Sequence, residues 1–441
     1  MVSTLPPGPP VPALVQAGFI WLDPIRFVQT CHRRYGDRFT IRIPGIGTLV
    51  FLTDPDDIRT VTRGDPAIFH AGEAAAPLNQ VLGEKSLITL DDDKHRRSRG
   101  MMLPAFHGDS VRRQVAEMVA ITADDVARWP VGEQFPLYPR MQAITLEVIL
   151  RTVIGVQDKG RLATLRAALP PMLEIGSPLE LIPPPRVLLR FGMWRRRAQR
   201  RALAQALLRD EITLCRADPQ LAHRTDALAM LVRSVASTGE PMDDDELVDQ
   251  LVTLLLAGHD TTSTALSWAF ERLTRHPALL HRTAVAAAEG DDAWIDAVCK
   301  ESLRVRPVVF EFARKLTAPL QLGGYHIPAG TILAPSINLV HHSSQHYRDP
   351  EEFRPQRFLD HRADPAVWLP FGGGVRRCLG ATFAQVEMRT VLREVLRRVE
   401  LSPTTAPDEP VRPRHVTMVP RHGATVTVRR RITVADHVAT A

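Results

Sequence analysis

A single predicted helix of about 33 residues is the feature of this sequence that most restricts its fold. The helical pattern begins near Asp243, where Glu246 follows three residues on as in a capping box, and runs to about Arg275, ahead of Pro277. At a rise of about 1.5 Å per residue the helix is roughly 50 Å long, so it crosses an entire domain. Residues 257–262 include a glycine and two consecutive threonines, which are poor helix formers, and we expect a local kink there.

The composition is that of a globular protein that can enclose a cofactor. The chain has 441 residues, of which 44% are hydrophobic and 24% are charged, and a chain of this length can bury a deep core. Its 55 basic and 49 acidic residues give a net charge of +6. The basic residues are mostly arginines, spread along the chain rather than gathered in one block, so we expect no nucleic-acid partner.

Short strand-like runs interrupt a pattern that is otherwise helical. They are residues 39–43, 48–52, 320–327 and 424–428. No internal repeat and no low-complexity linker divides the chain. We therefore predict a mainly α fold of the α+β type, in one domain over residues 1–441, with a helix-rich lobe, a long central helix and small β-sheets.

The beginning of the chain argues against a membrane anchor. The apolar stretch of residues 11–22 is far shorter than the roughly 20 residues that a spanning helix needs, and it lacks the basic start and cleavage site of a signal peptide. The four cysteines form no Cys-x-x-Cys pair, which suits a reducing compartment. We expect a cytoplasmic protein without a membrane span.

Residues 371–380, Phe-Gly-Gly-Gly-Val-Arg-Arg-Cys-Leu-Gly, carry the strongest chemical signal. The glycines allow a tight turn and a close approach to a flat group. An amphipathic helix follows, so Cys378 lies just before a helix N-terminus, where the macrodipole and Arg376 and Arg377 favour a thiolate and are expected to lower the thiol pKa. A phosphate cradle is disfavoured because the Walker pattern is missing. The residues alone leave a metal-bound thiolate and a buried structural thiol equally open.

This segment resembles the haem-binding loop of the cytochrome P450 family, Phe-x-x-Gly-x-Arg-x-Cys-x-Gly. The matching positions are Phe371, Gly374, Arg376, Cys378 and Gly380. The resemblance extends over nearly the whole chain and is to the soluble bacterial type. It implies the cytochrome P450 fold, with the long helix over haem b and the iron ligated by Cys378. It also implies haem contacts from Phe371, Gly372, Arg376 and Gly380.

The middle of the long helix resembles the family's oxygen-activation motif, Ala/Gly-Gly-x-Asp-Thr. By this match Ala257 and Gly258 lie beside the haem, and Asp260 and Thr261 form an acid–alcohol pair that supplies protons. Cleavage of the O–O bond to release water requires two protons in a largely dry pocket, and a carboxylate with a hydroxyl can relay them. Without the resemblance, an Asp-Thr-Thr run is more typical of a cap or a solvated turn.

Glu301 and Arg304 resemble the family's Glu-x-x-Arg. The same spacing recurs elsewhere in the chain, and alone it indicates an ordinary ion pair on one helix face. This copy is selected because it precedes Pro307 and because Arg357 follows within Pro-Gln-Arg-Phe, where the family has Pro-x-Arg-Phe. The resemblance implies that Glu301, Arg304 and Arg357 form a triad that serves folding around the haem rather than chemistry.

Four basic residues are expected to bind the haem propionates, which are anions. Arg376 follows from the loop motif, and His95 and Arg99 match a His-x-x-x-Arg that bacterial members often carry. Arg314 occupies a position where the family commonly supplies another propionate contact. Each of these residues is also open to interpretation as a solvated basic side chain.

The resemblance implies a monooxygenase that inserts one oxygen atom from dioxygen into a lipophilic small molecule, with electrons from NAD(P)H. A peroxide-driven or non-oxygenating haem enzyme and a haem-binding sensor are the alternatives, and the Asp260–Thr261 pair argues against them. The substrate pocket is expected to include the region around residues 170–190 and a set of mostly apolar side chains. These are Leu254, Ala257, Val309, Phe310 and Met418.

No fused reductase is expected, so the electrons should come from a separate ferredoxin or flavodoxin and its reductase. An acidic partner of this kind would meet a positively charged surface. The arginines expected to form that surface are Arg96, Arg97, Arg377 and Arg389. We expect the protein to be a monomer.

Overall fold

A computed structural model describes residues 5–173, 192–236, 239–359, 363–414 and 416–432 of the chain. Its α-helices, in chain order, are α1 Ala13–Leu22, α2 Pro24–Tyr35, α3 Pro55–Arg63, α4 Ala71–Ala74, α5 Asn79–Leu82, α6 Asp92–Met102, α7 Asp109–Arg112, α8 Val115–Val126, α9 Tyr138–Val148, α10 Lys159–Leu173, α11 Gly192–Ala217, α12 Ala227–Arg233, α13 Asp244–Arg275, α14 Pro277–Glu289, α15 Asp292–Val305, α16 Ile337–His341 and α17 Ala381–Arg398. The described part of the chain is therefore mainly helical, as predicted.

The strands are short and form small sheets. They are β1 Arg38–Ile43, β2 Gly47–Leu52, β3 Phe69–His70, β4 Gln134–Pro136, β5 Arg314–Leu316, β6 Leu320–Leu322, β7 Tyr325–Ile327, β8 Ile332–Pro335, β9 Val399–Leu401, β10 Val411–Arg414, β11 Thr417–Pro420 and β12 Thr425–Arg431. A five-stranded sheet has the order β1-β2-β8-β5-β3, in which β2 and β8 are parallel and the other pairs antiparallel. A three-stranded sheet has the order β4-β12-β9, and β6-β7 and β10-β11 are separate hairpins.

The predicted long helix is present as α13, which runs for 32 residues without interruption. The Asp243 carboxylate caps it by accepting the Glu246 N–H at 2.7 Å. The Glu246 carboxylate does not complete a capping box, because it binds Arg97 at 2.6 Å and Ser98 at 3.3 Å instead. The helix continues through residues 257–262, so the poor helix formers there do not end it, and the local kink stays a prediction. Hydroxyls such as that of Thr264 bond carbonyls one turn back, and packing outweighs the weak helix propensity.

Two strand predictions need correction, one in its middle and one at its end. Residues 320–327 form two strands, because Gly323 and Gly324 adopt φ values of +58° and +83° and turn the chain into the β6-β7 hairpin. The last strand begins at Thr425 and continues to Arg431, beyond the predicted end at residue 428. It lasts longer because its second half pairs with β9, which follows α17 directly.

Helix α13 lies at the centre of the main hydrophobic core. It packs against α9, α15, α17 and β11, and the Trp268 and Phe270 side chains are fully buried. The burial of these two aromatic side chains contributes on the order of 3 kcal/mol each. Among the described residues, none of the helices combines the length and the apolar character that crossing a bilayer demands. The core therefore fixes α13 as a rigid wall for the site.

Candidate functional site

The segment that carries Cys378 is a tight loop held to its surroundings by backbone contacts. The Cys378 N–H donates to the Phe371 carbonyl at 2.9 Å, which closes the loop. Gly372 and Gly374 have φ values of +62° and +64°, where a side chain is disfavoured. At Gly374 a Cβ would lie 1.7 Å from the Thr62 carbonyl oxygen of α3. The glycine at this position is required by the contact with α3 as well as by its conformation.

The Cys378 thiol faces an interior cavity. Its side chain is solvent-accessible, yet burial among protein atoms raises the pKa of the thiol above its ordinary value. A group can be both accessible and enclosed only if it borders a cavity. The Gly380 N–H at the start of α17 and the charges of Arg377 and Arg99 act in the opposite direction and lower the pKa. The predicted net lowering of this pKa is therefore wrong, because burial outweighs the helix terminus and the arginines.

The other three cysteines are buried and lie elsewhere. Burial raises the pKa of Cys31 to about 11, of Cys215 to about 11 and of Cys299 to about 12. A neutral thiol at these positions behaves as a small apolar side chain. All four cysteines belong to the described residues, and Cys378 is the one whose sulfur a cofactor can reach.

One face of α13 is accessible although most of the helix is buried. The exposed or half-buried residues Leu254, Ala257, Gly258 and Thr261 follow the i, i+3, i+4, i+7 spacing of a single helix face. The Thr261 hydroxyl donates to the Ala257 carbonyl at 2.5 Å. At Gly258 a Cβ would lie 2.8 Å from the Ile149 side chain, so packing as well as access requires a residue without a side chain there.

Asp260 does not hydrogen-bond Thr261, although the two are adjacent in sequence. Its carboxylate is buried and accepts hydrogen bonds from the Tyr138 hydroxyl at 2.7 Å and the Thr417 hydroxyl at 2.8 Å. Arg414 lies 3.6 Å from the same carboxylate and donates to the Tyr138 hydroxyl at 2.8 Å. The structure thus separates the expected acid–alcohol pair into an accessible hydroxyl and a carboxylate held by α9 and the β10-β11 hairpin.

Four expected propionate ligands lie together and form what we call the cation cluster: His95, Arg99, Arg314 and Arg376. Burial, followed by the charges of Arg376, Arg99 and Arg314, lowers the pKa of His95 to about 4. Burial and the charge of Arg376 lower the pKa of Arg314 to about 10. Because these groups alter each other's pKa values, they share one region of low dielectric constant.

The cation cluster carries more positive than negative charge. The Arg376 guanidinium binds the Asp91 carboxylate and donates to the Leu90 carbonyl at 2.6 Å. Arg314 is buried, donates to the Ala313 carbonyl at 2.8 Å and lies over the Phe312 ring. The three guanidinium groups of the cation cluster thus face mainly one half-buried carboxylate, that of Asp91, together with the exposed Asp92. Such a set of donors fits a cofactor with anionic groups.

Arg99 connects the cation cluster to the thiol loop. Its guanidinium donates to the Arg377 carbonyl at 2.8 Å, directly before Cys378. On the other side of the loop, the Phe371 ring packs edge-on against Trp368 with centroids 5.9 Å apart. An accessible thiol, a neighbouring group of cations and an aromatic ring beside the thiol fit the iron, the propionates and the macrocycle of a haem.

The predicted triad forms an ion-pair network in which Glu301 and Arg304 are fully buried and Arg357 is partly buried. Arg304 donates two hydrogen bonds to the Glu301 carboxylate at 2.7 and 2.9 Å, and neither residue is exposed. Arg357 donates to the same carboxylate at 3.0 Å. The remaining Arg304 donors bind the carbonyls of His341, Pro350 and Glu352 at 2.7 to 3.0 Å. A buried charge pair with every donor satisfied avoids the penalty of an uncompensated charge.

His341 links the triad to the thiol loop. Its Nε2 accepts the Leu369 N–H at 2.9 Å, and its Nδ1 lies 3.2 Å from the Arg304 carbonyl. Burial holds the pKa of His341 well below its usual range, so the ring is neutral, with the proton on Nδ1. The chain of contacts from Glu301 therefore ends two residues before Phe371, whose carbonyl closes the loop.

The five expected substrate-pocket residues do not all line one cavity. Leu254 and Ala257 lie on the accessible face of α13, and Val309 is half-buried against the main core. Phe310 and Met418 instead line a separate pocket with Trp268, Pro307 and Asn338. The part of the predicted pocket at residues 174–190 lies outside the described residues.

Four contributors to this site were not found from the sequence. Tyr138 and Thr417 hold Asp260, and His341 supports the thiol loop, yet none of them belongs to a motif identified above. Asp91 was also missed, although its position directly before α6 is that of a helix cap. It binds Arg376 and accepts the Gly72 and Glu73 N–H groups, so its carboxylate fixes the edge of the cation cluster.

A reachable thiol in a tight loop before a helix, joined through Arg99 to clustered cations, is the arrangement of a haem-thiolate protein. The family model described as cytochrome P450 matches residues 5–428 of this chain. The chain belongs to the cytochrome P450 family. It is therefore a cytochrome P450 monooxygenase with haem b, whose iron is ligated by a cysteine thiolate.

Several mycobacterial proteins are similar over nearly their full lengths. Cytochrome P450 135B1 of Mycobacterium tuberculosis is 51% identical over 431 residues, which cover 96% of this chain and 91% of that protein. Cytochrome P450 135A1 of the same organism is 38% identical over 427 residues, covering 96% and 95%. The structure of cyanobacterial CYP120A1 with retinoic acid bound has a TM-score of 0.83 and 24% identity, covering 98% of this chain and 100% of that one. That likeness confirms the predicted fold.

Glu301→Gln is expected to destabilise the protein by about 3–5 kcal/mol, because it leaves the Arg304 charge buried without a full countercharge. Urea unfolding followed by circular dichroism measures this loss. As a control, Asp109→Asn removes an exposed ion pair with Arg112 and should cost less than about 1 kcal/mol. Equal stability of the Glu301→Gln variant and the parent protein would contradict the structural role of the triad.

Proposed function

We propose that this protein uses Cys378 to bind haem and inserts one atom of dioxygen into a lipophilic small molecule, with electrons from NAD(P)H delivered by a separate partner. The observation that carries the proposal is that the Cys378 thiol is accessible and that Arg99 joins its loop to the cation cluster. Family membership supports the oxygenase chemistry in general. The roles of individual residues, the substrate class and the electron source are our inferences.

The cation cluster is proposed to bind the two haem propionates. Arg99, Arg314 and Arg376 supply charged donors, and neutral His95 supplies one N–H. Phe371, Gly372 and Gly380 are proposed to lie against the macrocycle on the thiol side, with Ala257 and Gly258 on the opposite side. When bound, the haem supplies the activation of dioxygen.

Proton supply is proposed to pass through Thr261 and Asp260. The Thr261 hydroxyl is at the cavity and can exchange its bond to the Ala257 carbonyl for one to an incoming water. Asp260 lies between the cavity and Arg414, whose side chain is 24% exposed. To reach Thr261, the Asp260 carboxylate must release Tyr138 or Thr417 and change its rotamer. The network around Asp260 therefore acts as a gate between solvent and cavity.

The accessible face of α13 supports a lipophilic substrate. Leu254 and Ala257 present aliphatic carbon to the cavity, and Val309 extends this lining from the segment after α15. Burial of a ligand's apolar surface at such a wall is favourable by about 25 cal/mol per Å². Peroxide-driven or non-oxygenating chemistry and haem sensing are the alternatives, and neither would use a hydroxyl and a gated carboxylate for proton supply.

A ferredoxin or flavodoxin with its reductase is the proposed electron source. Of the four arginines expected to meet it, Arg96 and Arg377 are exposed, and the ion pair of Arg96 with Asp93 lies at the surface. Arg97 binds Glu246 at 2.6 Å and Arg389 binds Asp296 at 3.3 Å, so both are committed to internal ion pairs. We therefore propose Arg96 and Arg377 as the arginines that meet the electron-transfer partner. A cytoplasmic location, a single domain and a monomeric state stay predictions.

The carbon monoxide difference spectrum of the dithionite-reduced protein is expected to show the strongly red-shifted Soret band of a thiolate-ligated haem. Cys378→Ser should abolish that band, because a hydroxyl does not replace the thiolate. Cys299→Ser, at a buried cysteine, is the matched control and should retain it. A red-shifted band that persists in the Cys378→Ser protein would contradict the assignment of the ligand.

Thr261→Ala is expected to uncouple electron consumption from product formation, with several-fold more hydrogen peroxide per NAD(P)H consumed, because the cavity loses its hydroxyl. Thr261→Ser keeps the hydroxyl and should restore most of the coupling. Peroxide release and NAD(P)H oxidation are measured in the same assay, with a lipophilic compound that the parent protein oxidises. A sensor or a peroxide-driven enzyme would show no difference between the Ala and Ser variants.

Charge reversal of the exposed arginines, Arg96→Glu with Arg377→Glu, is expected to slow reduction of the haem by a partner ferredoxin at least about fivefold and to flatten its dependence on salt. Stopped-flow reduction under carbon monoxide measures both quantities. Arg429→Glu, on β12, removes a similarly exposed positive charge and serves as the control. Unchanged rates and salt dependence in the double variant would exclude this docking surface.

A further inference from the structure

Glu311 is an acidic side chain that the proposed reaction leaves without a role. It lies in the segment between α15 and β5, where Phe310 precedes it and Phe312 follows it in the sequence. Its side chain is accessible, yet burial within the protein raises its pKa to about 7. The same combination at Cys378 marks a group at the interior cavity. Glu311 therefore faces a cavity rather than bulk solvent.

Backbone contacts fix the direction in which Glu311 points. The Phe310 carbonyl accepts the Asn338 N–H at 3.1 Å, the Phe312 N–H donates to the Pro335 carbonyl at 3.3 Å, and Glu311 forms a β-bridge with Ser336. Side chains alternate along such an extended segment. Because Phe310 lines the separate pocket with Trp268 and Met418, Glu311 points to the opposite side of the segment, together with Val309.

The two ends of this segment lie beside the two halves of the site. At one end the Val308 carbonyl accepts the Met418 N–H at 2.8 Å, and β11, which contains Met418, packs against α13. At the other end Arg314 belongs to the cation cluster. The segment therefore passes from the central helix to the propionate side, and Glu311 lies between them at the cavity.

No described residue supplies Glu311 with a partner. Within the described ranges its carboxylate makes no hydrogen bond and no ion pair, and burial alone shifts its pKa. The nearest arginines in the chain are engaged elsewhere, since Arg314 donates to the Ala313 carbonyl and Arg306 lies 3.7 Å from Asp408. An enclosed carboxyl group without a partner is costly, and a ligand that carries a positive charge removes that cost.

We propose that Glu311 determines substrate specificity by pairing with a protonated amine on a lipophilic substrate. The inference rests on the proposed function, because it assigns the substrate class of the same cavity. The ammonium group binds the Glu311 carboxylate, and the apolar body lies along Leu254, Ala257 and Val309. The cavity lining then has one carboxylate among aliphatic side chains. Such a lining binds amphiphilic cations more tightly than fatty acids, whose carboxylates Glu311 repels.

The test compares three probes of equal chain length in the haem-loaded protein: N,N-dimethyldodecylamine, dodecanol and dodecanoate. Isothermal titration calorimetry gives the dissociation constants, and the low- to high-spin shift reports entry into the haem cavity. The tertiary amine is hindered as an iron ligand, and a nitrogen-ligated Soret spectrum would reveal direct coordination. The parent protein is expected to bind the ammonium at least about tenfold more tightly than dodecanoate.

Glu311→Gln keeps the size of the side chain and removes its charge. Its affinity for the ammonium probe should fall by about tenfold or more, while its affinity for dodecanol changes less than about twofold. Glu133→Gln, at an exposed carboxylate, is the matched control and should bind all three probes as the parent does.

Either of two results would overturn the proposal: equal or tighter binding of dodecanoate by the parent protein, or ammonium binding by Glu311→Gln at the parent's affinity. The first needs no variant, so it decides the question even if Glu311→Gln fails to fold. The carbon monoxide spectrum separates this failure from that of the proposed function. A normal thiolate spectrum without ammonium selectivity rejects the role of Glu311 alone.

Discussion

Glu301 and Arg304 form an ion pair that no solvent reaches, and the thiol loop depends on it. Two charges placed in a protein interior are stable only when geometry and additional hydrogen bonds satisfy both of them. Here Arg357 and three backbone carbonyls complete the shell. Through neutral His341 the network reaches the Leu369 N–H, so the position of Phe371, and with it the closure of the loop around Cys378, follows from an arrangement more than sixty residues earlier in the chain.

The cavity between α13 and the thiol loop is electrostatically uneven. The cation cluster holds three arginines against mainly one carboxylate, whereas the accessible face of α13 carries no charged side chain. Glu311 introduces a negative group at a third position. Under the proposed function, the anionic edge of a flat cofactor would face the cation cluster. Under our two proposals, the uneven charge would direct the anionic edge of the cofactor, and Glu311 would direct the charged end of a molecule bound beside it.

Features that depend on local chemistry could be predicted from the sequence. The length of α13, the Asp243 cap and the start of α17 just after Cys378 are encoded by periodicity and terminal residues, and they agree with the structure. The Glu301–Arg304–Arg357 contacts could also be predicted, although only the family resemblance distinguished this Glu-x-x-Arg from its other copies. The poor helix formers at residues 257–262 do not end α13, because tertiary packing outweighs helix propensity there.

Long-range geometry accounts for what could not be predicted. Asp260 is turned toward Tyr138 and Thr417, which are more than a hundred residues away in either direction. Whether the pKa of the Cys378 thiol is raised or lowered depends on how much protein surrounds the sulfur, and no local sequence pattern reveals that. Phe310 was predicted to line the substrate pocket and its neighbour Glu311 was not, yet the extended backbone sends the two side chains to opposite sides. Only the fold decides which of the two reaches the cavity.

The contact between Gly374 and α3 has a consequence for how the family's history can be interpreted. Gly374 meets the backbone carbonyl of Thr62, and every amino acid carries that carbonyl. As far as this contact is concerned, position 374 is restricted to glycine, while position 62 is free to change its side chain. Mutual dependence between two positions normally leaves paired substitutions in related sequences. This dependence is one-sided, so covariation would not reveal the contact that anchors the thiol loop.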